Sequence, residues 1–445
     1  GRAHEVFFGP RVPRSRERIF GKGTAAVMLL QLNVWGVGSA MGYLAYKSKL
    51  SVSSLAELAK EPAGVRFATG AIGVGSCLLG VRFLESLVYS SGDVTNGTGP
   101  LTRTVAMMER MLVQKGQKQS INEWIDKYDA ITTPEDVNIR NTSYALMVDS
   151  FYKLVTHFYE WGWGASFHFA YRMQGETFSE GIRRHEYYLA SQIPLKPGSK
   201  VVDVGCGIGG PMRNITRFTN WDVTGVTLNH YQVERCNEMC REEGLQTQCR
   251  AVQMDFHKLK LADGSLDGAF AVEATCHSPD RKDVFREVYR CLKPGAYFAF
   301  YEWCLTDKFN HSDTEHMFIK KMIEEGNGLP EMAHTSVIDQ AVKDSGFELI
   351  TKRDLAHDAN QMVPWYRPVE PSWNPFIQRF QFNPVGTFVT IFCLRFLEWM
   401  WVAPPGTCKI QIMLNKALVG CSQGGEKDIF TPMYLCVCRK PDGAR

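Results

Sequence analysis

Net charge is almost missing from this chain. Its 50 lysines and arginines meet 47 aspartates and glutamates, which leaves +3 over 445 residues. That balance argues against a nucleic-acid binder working through a dominant basic field. Low-complexity tracts and internal repeats are also missing. Hydrophobic content is an ordinary 44%, so disorder is excluded for most of the chain. There are 13 cysteines but no CxxC or paired-histidine spacing. Cys236 and Cys240 stand four apart on an expected helix without such company. A structural zinc site, or any other metal site, is therefore not expected. The cysteines read as reduced, mostly buried thiols in a compartment facing the cytosol.

What charge there is sits unevenly. Residues 1–90 hold 11 basic against 5 acidic residues, and the remainder 39 against 42. Within the basic leader, residues 23–46 carry no charge for 24 positions, long enough as a helix to cross a hydrocarbon core of about 30 Å. A second uncharged run, residues 67–81, has 15 positions. Gly70, Gly73 and Gly75 would let it pair closely with another helix. Arg11, Arg14, Arg16, Arg18 and Lys22 precede the first run and favour a cytosolic N-terminal side. A membrane anchor is the expectation, against buried soluble helices or an Arg-rich transit segment. The first residue is Gly1, so an upstream targeting signal stays open. Turn formers from Ser90 to Pro100 place a boundary near residue 92. The expected regions are a leader at 1–92, a helical lead-in and core at 93–360, and a C-terminal segment at 361–445.

From residue 200 strands and helices alternate, the signature of an α/β protein with a parallel sheet and helices on both faces. Strands are expected at 200–204, 222–226, 249–254, 266–273, 297–303, 347–351 and 433–438. The first runs into Gly205-Cys206-Gly207-Ile208-Gly209-Gly210. Glycines there allow a tight turn and a close ligand approach. The loop satisfies GxGxxG, so a dinucleotide must be weighed. Asp203, two residues before the first glycine, would repel a pyrophosphate, and strand two ends in Thr227-Leu228-Asn229 without an acidic residue for an NAD ribose. A cationic nucleoside without phosphate fits better.

The Asp203 to Gly210 arrangement resembles the first motif of S-adenosylmethionine-dependent methyltransferases. Three further stretches narrow the resemblance: residues 158–169, rich in aromatics around Glu160 and His168; Val272-Glu273-Ala274-Thr275-Cys276-His277-Ser278-Pro279; and Tyr301-Glu302-Trp303-Cys304-Leu305-Thr306-Asp307. With Phe430-Thr431-Pro432-Met433 and Arg439-Lys440-Pro441 they resemble sterol 24-C-methyltransferases over residues 135–445. The resemblance implies a seven-stranded Rossmann-like methyltransferase sheet with a final antiparallel strand. It implies methyl transfer from S-adenosylmethionine to carbon 24 of a sterol side chain with a 24,25 double bond. Asp203, Gly205, Gly207, Gly209, Thr227, Asn229, Gln232, Asp255 and Phe256 would hold the donor, with Asp255 on the adenine amino group and Phe256 against the ring.

An alkene attacking a sulfonium methyl leaves a carbocation in an apolar tail. The site must exclude water, and aromatic faces stabilise such a cation without being alkylated, each by about 0.5–2 kcal/mol. Tyr159, Trp161, Trp163, Phe167 and Phe169 supply such faces, with core packing as the alternative. Loss of a proton then needs a base within hydrogen-bond reach, for which His168, Glu273, His277 and Glu302 are candidates. Phe388, Phe392, Phe396 and Trp399 recur on one face of a C-terminal helix. Core packing is the expected role of that face, ahead of a sterol-cavity wall or a membrane contact. The expected partners are a sterol and a membrane, with no nucleic acid; a homo-oligomer stays open. The expected location is the endoplasmic reticulum membrane, with the catalytic part facing the cytosol. Rivals are a methyltransferase for a quinol or phosphobase, a sterol-binding protein on a disused scaffold, and an NAD oxidoreductase.

Overall fold

The computed structural model describes residues 121–133, 136–371, 384–399 and 403–443. The two uncharged runs at 23–46 and 67–81 lie outside the described residues. By its contacts the chain divides into residues 1–85 and residues 86–445, and every described residue belongs to the second unit.

Eight strands form one mixed sheet: β1 (Lys200–Val204), β2 (Asp222–Thr227), β3 (Cys249–Gln253), β4 (Leu266–Val272), β5 (Leu292–Leu305), β6 (Ala333–His334), β7 (Glu348–Asp354) and β8 (Phe430–Arg439). Their order is β3-β2-β1-β4-β5-β8-β7, with β6 beside β5. Strands β1 to β5 run parallel, and β8 is antiparallel to both β5 and β7. Seven strands are expected from the sequence; the eighth is β6, whose two residues are too few to show any periodicity. Strand β5 also starts earlier than residue 297. Pro294 and Gly295 look like a turn, yet the strand continues through them with a register shift against β4. The central strands β1 and β8 are buried on both faces, as layers covered by helices on each side require.

Eleven α-helices are described: α1 (Ile121–Thr132), α2 (Val137–Thr142), α3 (Tyr144–Gly162), α4 (Phe178–Ser191), α5 (Gly210–Thr219), α6 (His230–Glu242), α7 (Arg281–Cys291), α8 (Thr314–Asn327), α9 (Thr335–Asp344), α10 (Pro384–Trp399) and α11 (Thr407–Glu426). Helix α3 buries Met147, Phe151, Leu154, Val155 and Phe158, a stripe with helical spacing. Helices α8 and α11 touch backbone to backbone through small residues. A Cβ on Gly326 would lie 2.4 Å from that of Ala417, and one on Gly420 2.9 Å from that of Met322.

Helix α10 corrects the expectation for its aromatic face. Phe388, Phe392 and Trp399 are 70%, 64% and 61% exposed, whereas Gly386, Leu394 and Leu397 are buried. Gly406, which precedes α11, has no side chain to cap it, and Glu398 accepts the free Cys408 N–H at 2.8 Å instead. That bond, which satisfies an orphan donor, lies on the same side of α10 as the buried Leu394 and Leu397. Among the described residues no helix is long and apolar enough to cross a membrane.

Candidate active site

At the end of β1 the chain turns through Gly205, Gly207 and Gly209, whose φ angles are 89°, 54° and 75°. Side chains rarely adopt that backbone. Space is also missing: a Cβ on Gly205 would lie 2.4 Å from that of Ala274, and one on Gly210 2.2 Å from the Ala165 carbonyl. The Gly205 and Cys206 N–H groups both donate to the Val226 carbonyl, pinning the turn to β2. A cavity of about 750 Å³, counting its open mouth, lies over this loop.

Asp203, Gly205, Gly207, Thr227, Asn229, Gln232 and Phe256 line that cavity. Asp203 is 2% exposed, and its Oδ2 has no hydrogen-bond partner. Burial, reinforced by the nearby Glu186, pushes its pKa well above the usual carboxylate range. An orphaned buried acceptor of this kind needs a donor from outside, and a ligand ammonium group fits it. The other polar side chains are tied to one another. Thr227 Oγ1 donates to Gln232 Oε1 at 2.8 Å. Asn229 caps α6 by accepting the Gln232 N–H at 3.0 Å, and its amide donates to Asp149.

A second cavity, of about 900 Å³ with its mouth, adjoins the first. Helix α3 contributes Phe151, Tyr152, Phe158, Tyr159, Trp161 and Gly162, followed by Trp163, Phe167, His168 and Phe169. Cys276, Trp303, Asn327, Leu329, Gln411, Leu414, Ala417 and Leu418 close it. Trp163 packs edge-on to Phe169 and Phe178 with centroids 5.1 Å away, and donates from Nε1 to the His168 carbonyl at 2.9 Å. Tyr152, Phe167, His168, Glu273 and His277 line both cavities. The two spaces therefore share a wall.

A sterol methyltransferase C-terminal model matches residues 377–442, and a methyltransferase domain model matches 202–300. The chain is 45% identical to cycloartenol-C-24-methyltransferase 1 of Oryza sativa subsp. japonica, over 73% of this chain and 93% of the relative. It is 44% identical to cycloartenol-C-24-methyltransferase of Arabidopsis thaliana, over 72% and 97%. With sterol 24-C-methyltransferase ERG6 of Saccharomyces cerevisiae the identity is 37%, over 78% and 91%. This chain belongs to the sterol 24-C-methyltransferase family. Among solved structures, a putative sarcosine dimethylglycine methyltransferase from Galdieria sulphuraria is 19% identical, with a TM-score of 0.47 over 64% of this chain and 97% of that one.

Within this family member the expected residues divide. Two of the expected donor residues do not line the cavity over the glycine turn. Gly209 forms the turn itself, packed so that a Cβ would lie 2.4 Å from Cys236 Sγ. Asp255 is held by the Tyr144 hydroxyl and by the His257 N–H and Nδ1, at 2.9 and 3.0 Å. Burial opposes its charge, but those bonds prevail and hold it below the usual carboxylate range.

The four proton-acceptor candidates differ just as sharply. Glu302 lines neither cavity. It neighbours Trp303 along β5, and adjacent strand residues point to opposite faces, so with Trp303 in the acceptor wall Glu302 bonds Thr275 Oγ1 behind the sheet. His168 has acceptors at both ring nitrogens: the Phe169 carbonyl at 3.0 Å from Nδ1 and Glu186 Oε1 at 3.1 Å from Nε2. Burial opposes its charge, yet Glu186 raises its pKa overall. Two acceptors facing the ring favour its doubly protonated form. Glu273 sits at φ 51°, a strained setting that costs about 1–3 kcal/mol. Its Oε1 accepts the Phe169 N–H at 2.9 Å and its Oε2 the Trp303 indole N–H at 2.7 Å. Burial pushes its pKa up to about 8. His277 is buried, and that burial brings its pKa down to about 4.

Sequence reasoning missed Tyr152 in the shared wall and Glu186 beneath it. Tyr152 is one aromatic residue on a strongly apolar helix, and Glu186 lies 18 positions from His168, so neither carries a local signal. Glu160, by contrast, turns away from the cavity and pairs with Arg235 at 2.6 Å.

Proposed function

We propose that this chain transfers a methyl group from S-adenosylmethionine to carbon 24 of a sterol side chain bearing a 24,25 double bond, in sterol biosynthesis. The reading is carried by the pairing of two cavities across one wall: an orphaned carboxylate beside a glycine turn on one side, aromatic faces on the other. The donor supplies an electrophilic methyl on a sulfonium centre. Asp203 is suited to accept its ammonium group, and Thr227, Gln232 and Phe256 to wall the nucleoside.

The alkene of the sterol tail is the nucleophile, and its attack leaves a positive charge on the tail. Trp163, Phe167, Phe169 and Tyr159 present ring faces and edges around that space, and faces favour a cation by about 0.5–2 kcal/mol each. Glu273 adds negative charge when it ionises. Both of its oxygens are held by N–H groups, which restrains the carboxylate from attacking carbon. A hydride shift along the tail and loss of a proton then complete the reaction, with water kept out by the surrounding apolar wall.

The substrate is poorly soluble in water, and the chain's features suit work at a bilayer. The uncharged run at 23–46 has the length of a span, the preceding arginines favour a cytosolic side, and Phe388, Phe392 and Trp399 stand exposed on α10. We place the protein at the endoplasmic reticulum membrane with the catalytic part in the cytosol. Incubation with methyl-labelled S-adenosylmethionine and paired sterols, with and without the 24,25 double bond, tests the reaction. Label in the unsaturated sterol alone is expected. Label in neither, with the donor still bound, would move the acceptor to another lipid. Absence of donor binding would leave only a sterol-binding scaffold.

A further inference from the structure

The shared wall contains a hydrogen-bonded pair that neither holds the donor nor faces the cation with a charge. The Tyr152 hydroxyl lies 2.8 Å from His277 Nε2, and His277 Nδ1 lies 3.0 Å from the Gly328 carbonyl. A carbonyl can only accept, so Nδ1 carries the imidazole proton and Nε2 is the acceptor for the tyrosine. Three separate elements converge to make this line: Tyr152 from α3, His277 from the turn Thr275–His277 and Gly328 from the end of α8. Gly328 has φ 64°, and a Cβ there would lie 2.9 Å from Phe151 Cγ. Only glycine places its carbonyl there without strain.

The other polar groups in the wall are held in fixed positions. His168 faces acceptors from both ring nitrogens, and each Glu273 oxygen accepts one N–H group, from Phe169 and Trp303, which ties the carboxylate to those two residues. The Tyr152 oxygen donates its one proton to His277 and keeps its lone pairs. It lines both cavities, which puts it in the wall between the donor space and the acceptor space.

We propose that Tyr152 receives the proton lost from the newly attached methyl carbon, and that His277 takes the tyrosine's own proton in the same step. The proposal rests on the methyl-transfer reading of the site. After the hydride has moved to carbon 25, the positive charge is on carbon 24. A C–H bond of the new methyl breaks, its electron pair becomes the double bond to carbon 24, and the proton passes to the Tyr152 oxygen. The tyrosine O–H proton passes to His277 Nε2, leaving a neutral methylene product and an imidazolium whose Nδ1–H still donates to Gly328. A carbocation gives up a neighbouring proton to a weak base, so position matters more than basicity.

The test is Tyr152→Phe in the full chain, assayed with trideuteromethyl and ordinary S-adenosylmethionine on the same Δ24 sterol. Donor binding is expected to be unchanged and turnover to fall about a hundredfold, in the range for loss of a general base. The deuterium isotope effect is expected to rise, and product to shift from the methylene to water-trapped or isomeric forms. A merely structural tyrosine would lower turnover without moving isotope effect or product ratio, and that outcome overturns the proposal. If Tyr152→Phe does not bind the donor, the same two readouts on His277→Gln decide: a raised isotope effect supports the relay and an unchanged one overturns it. Absence of methyl transfer by the unaltered chain would overturn the reaction reading itself, and the relay with it.

Discussion

The two cavities are built by different rules. The donor side is a turn: three glycines within five residues at the end of β1, two residues after Asp203, supported by the ends of β2 and β3. Its walls come mostly from residues 203–256. The acceptor side is assembled from α3, the strand ends at Glu273 and Trp303, the end of α8 and helix α11, spanning residues 151–418. The first is a local conformational device in which the backbone does much of the work. The second is a shape that exists only when distant helices pack. A change on the donor side should act on binding of one ligand, and a change on the acceptor side on the chemistry after binding.

Asp203→Ala should break the comparison most decisively. It removes the unpartnered carboxylate, and donor affinity measured by calorimetry is expected to fall about a hundredfold or more, in line with losing a buried charge pair. Sterol binding should be untouched; equal loss of both ligands would show that the two sides are not separate. Trp163→Leu acts on the other side. The cation arises only after attack, so turnover should fall about tenfold while sterol affinity changes little. A pure affinity loss would return Trp163 to packing.

Glu273 belongs to both cavities and sharpens the comparison through pH. Its pKa is near 8 in the fold and about 4.3 in an unfolded chain. The folded state therefore binds more protons between those values, and stability is lost as pH rises through that window. Glu273→Gln cannot titrate, so the melting temperature of the variant minus that of the parent should climb from about pH 4.5 to about pH 8 and then level off. A constant difference would mean that the carboxyl is not buried in this way. The smallest effect belongs outside both cavities. Phe388→Ser on exposed α10 should change folding stability by only about 0.5 kcal/mol and weaken binding to lipid vesicles, measured by flotation.

How much of this was readable before folding depends on the range of the signal. The glycine turn, Asp203 and the strand order around them follow from neighbours in the chain, and seven of nine expected donor residues line the cavity. Asp255 does not, because Tyr144, 111 positions away, takes its carboxylate. The aromatic run at 159–169 was visible, but not that Glu160 would swing out to Arg235 while Trp163 turned in. The α10 stripe had the spacing of a buried face and still ended outside, while Leu394, Leu397 and the Glu398 bond to the start of α11 lie on the other side. Strand β6 was too short to show itself.

The sequence by itself determined the alternation of strands and helices, the conformation of the glycine turn and the chemical types at each end of the reaction. These depend on steric rules and periodicities a few residues long. Tertiary structure alone decided which groups share a wall and in what protonation state. Glu302 and Trp303 are neighbours in sequence yet face opposite sides of the sheet. His168 has its pKa raised by Glu186 against the effect of burial, and burial brings that of His277 down, with its tautomer set by Gly328. Charge and hydrogen-bond direction inside a protein follow from the few atoms within about 3 Å, and packing chooses those atoms from anywhere in the chain.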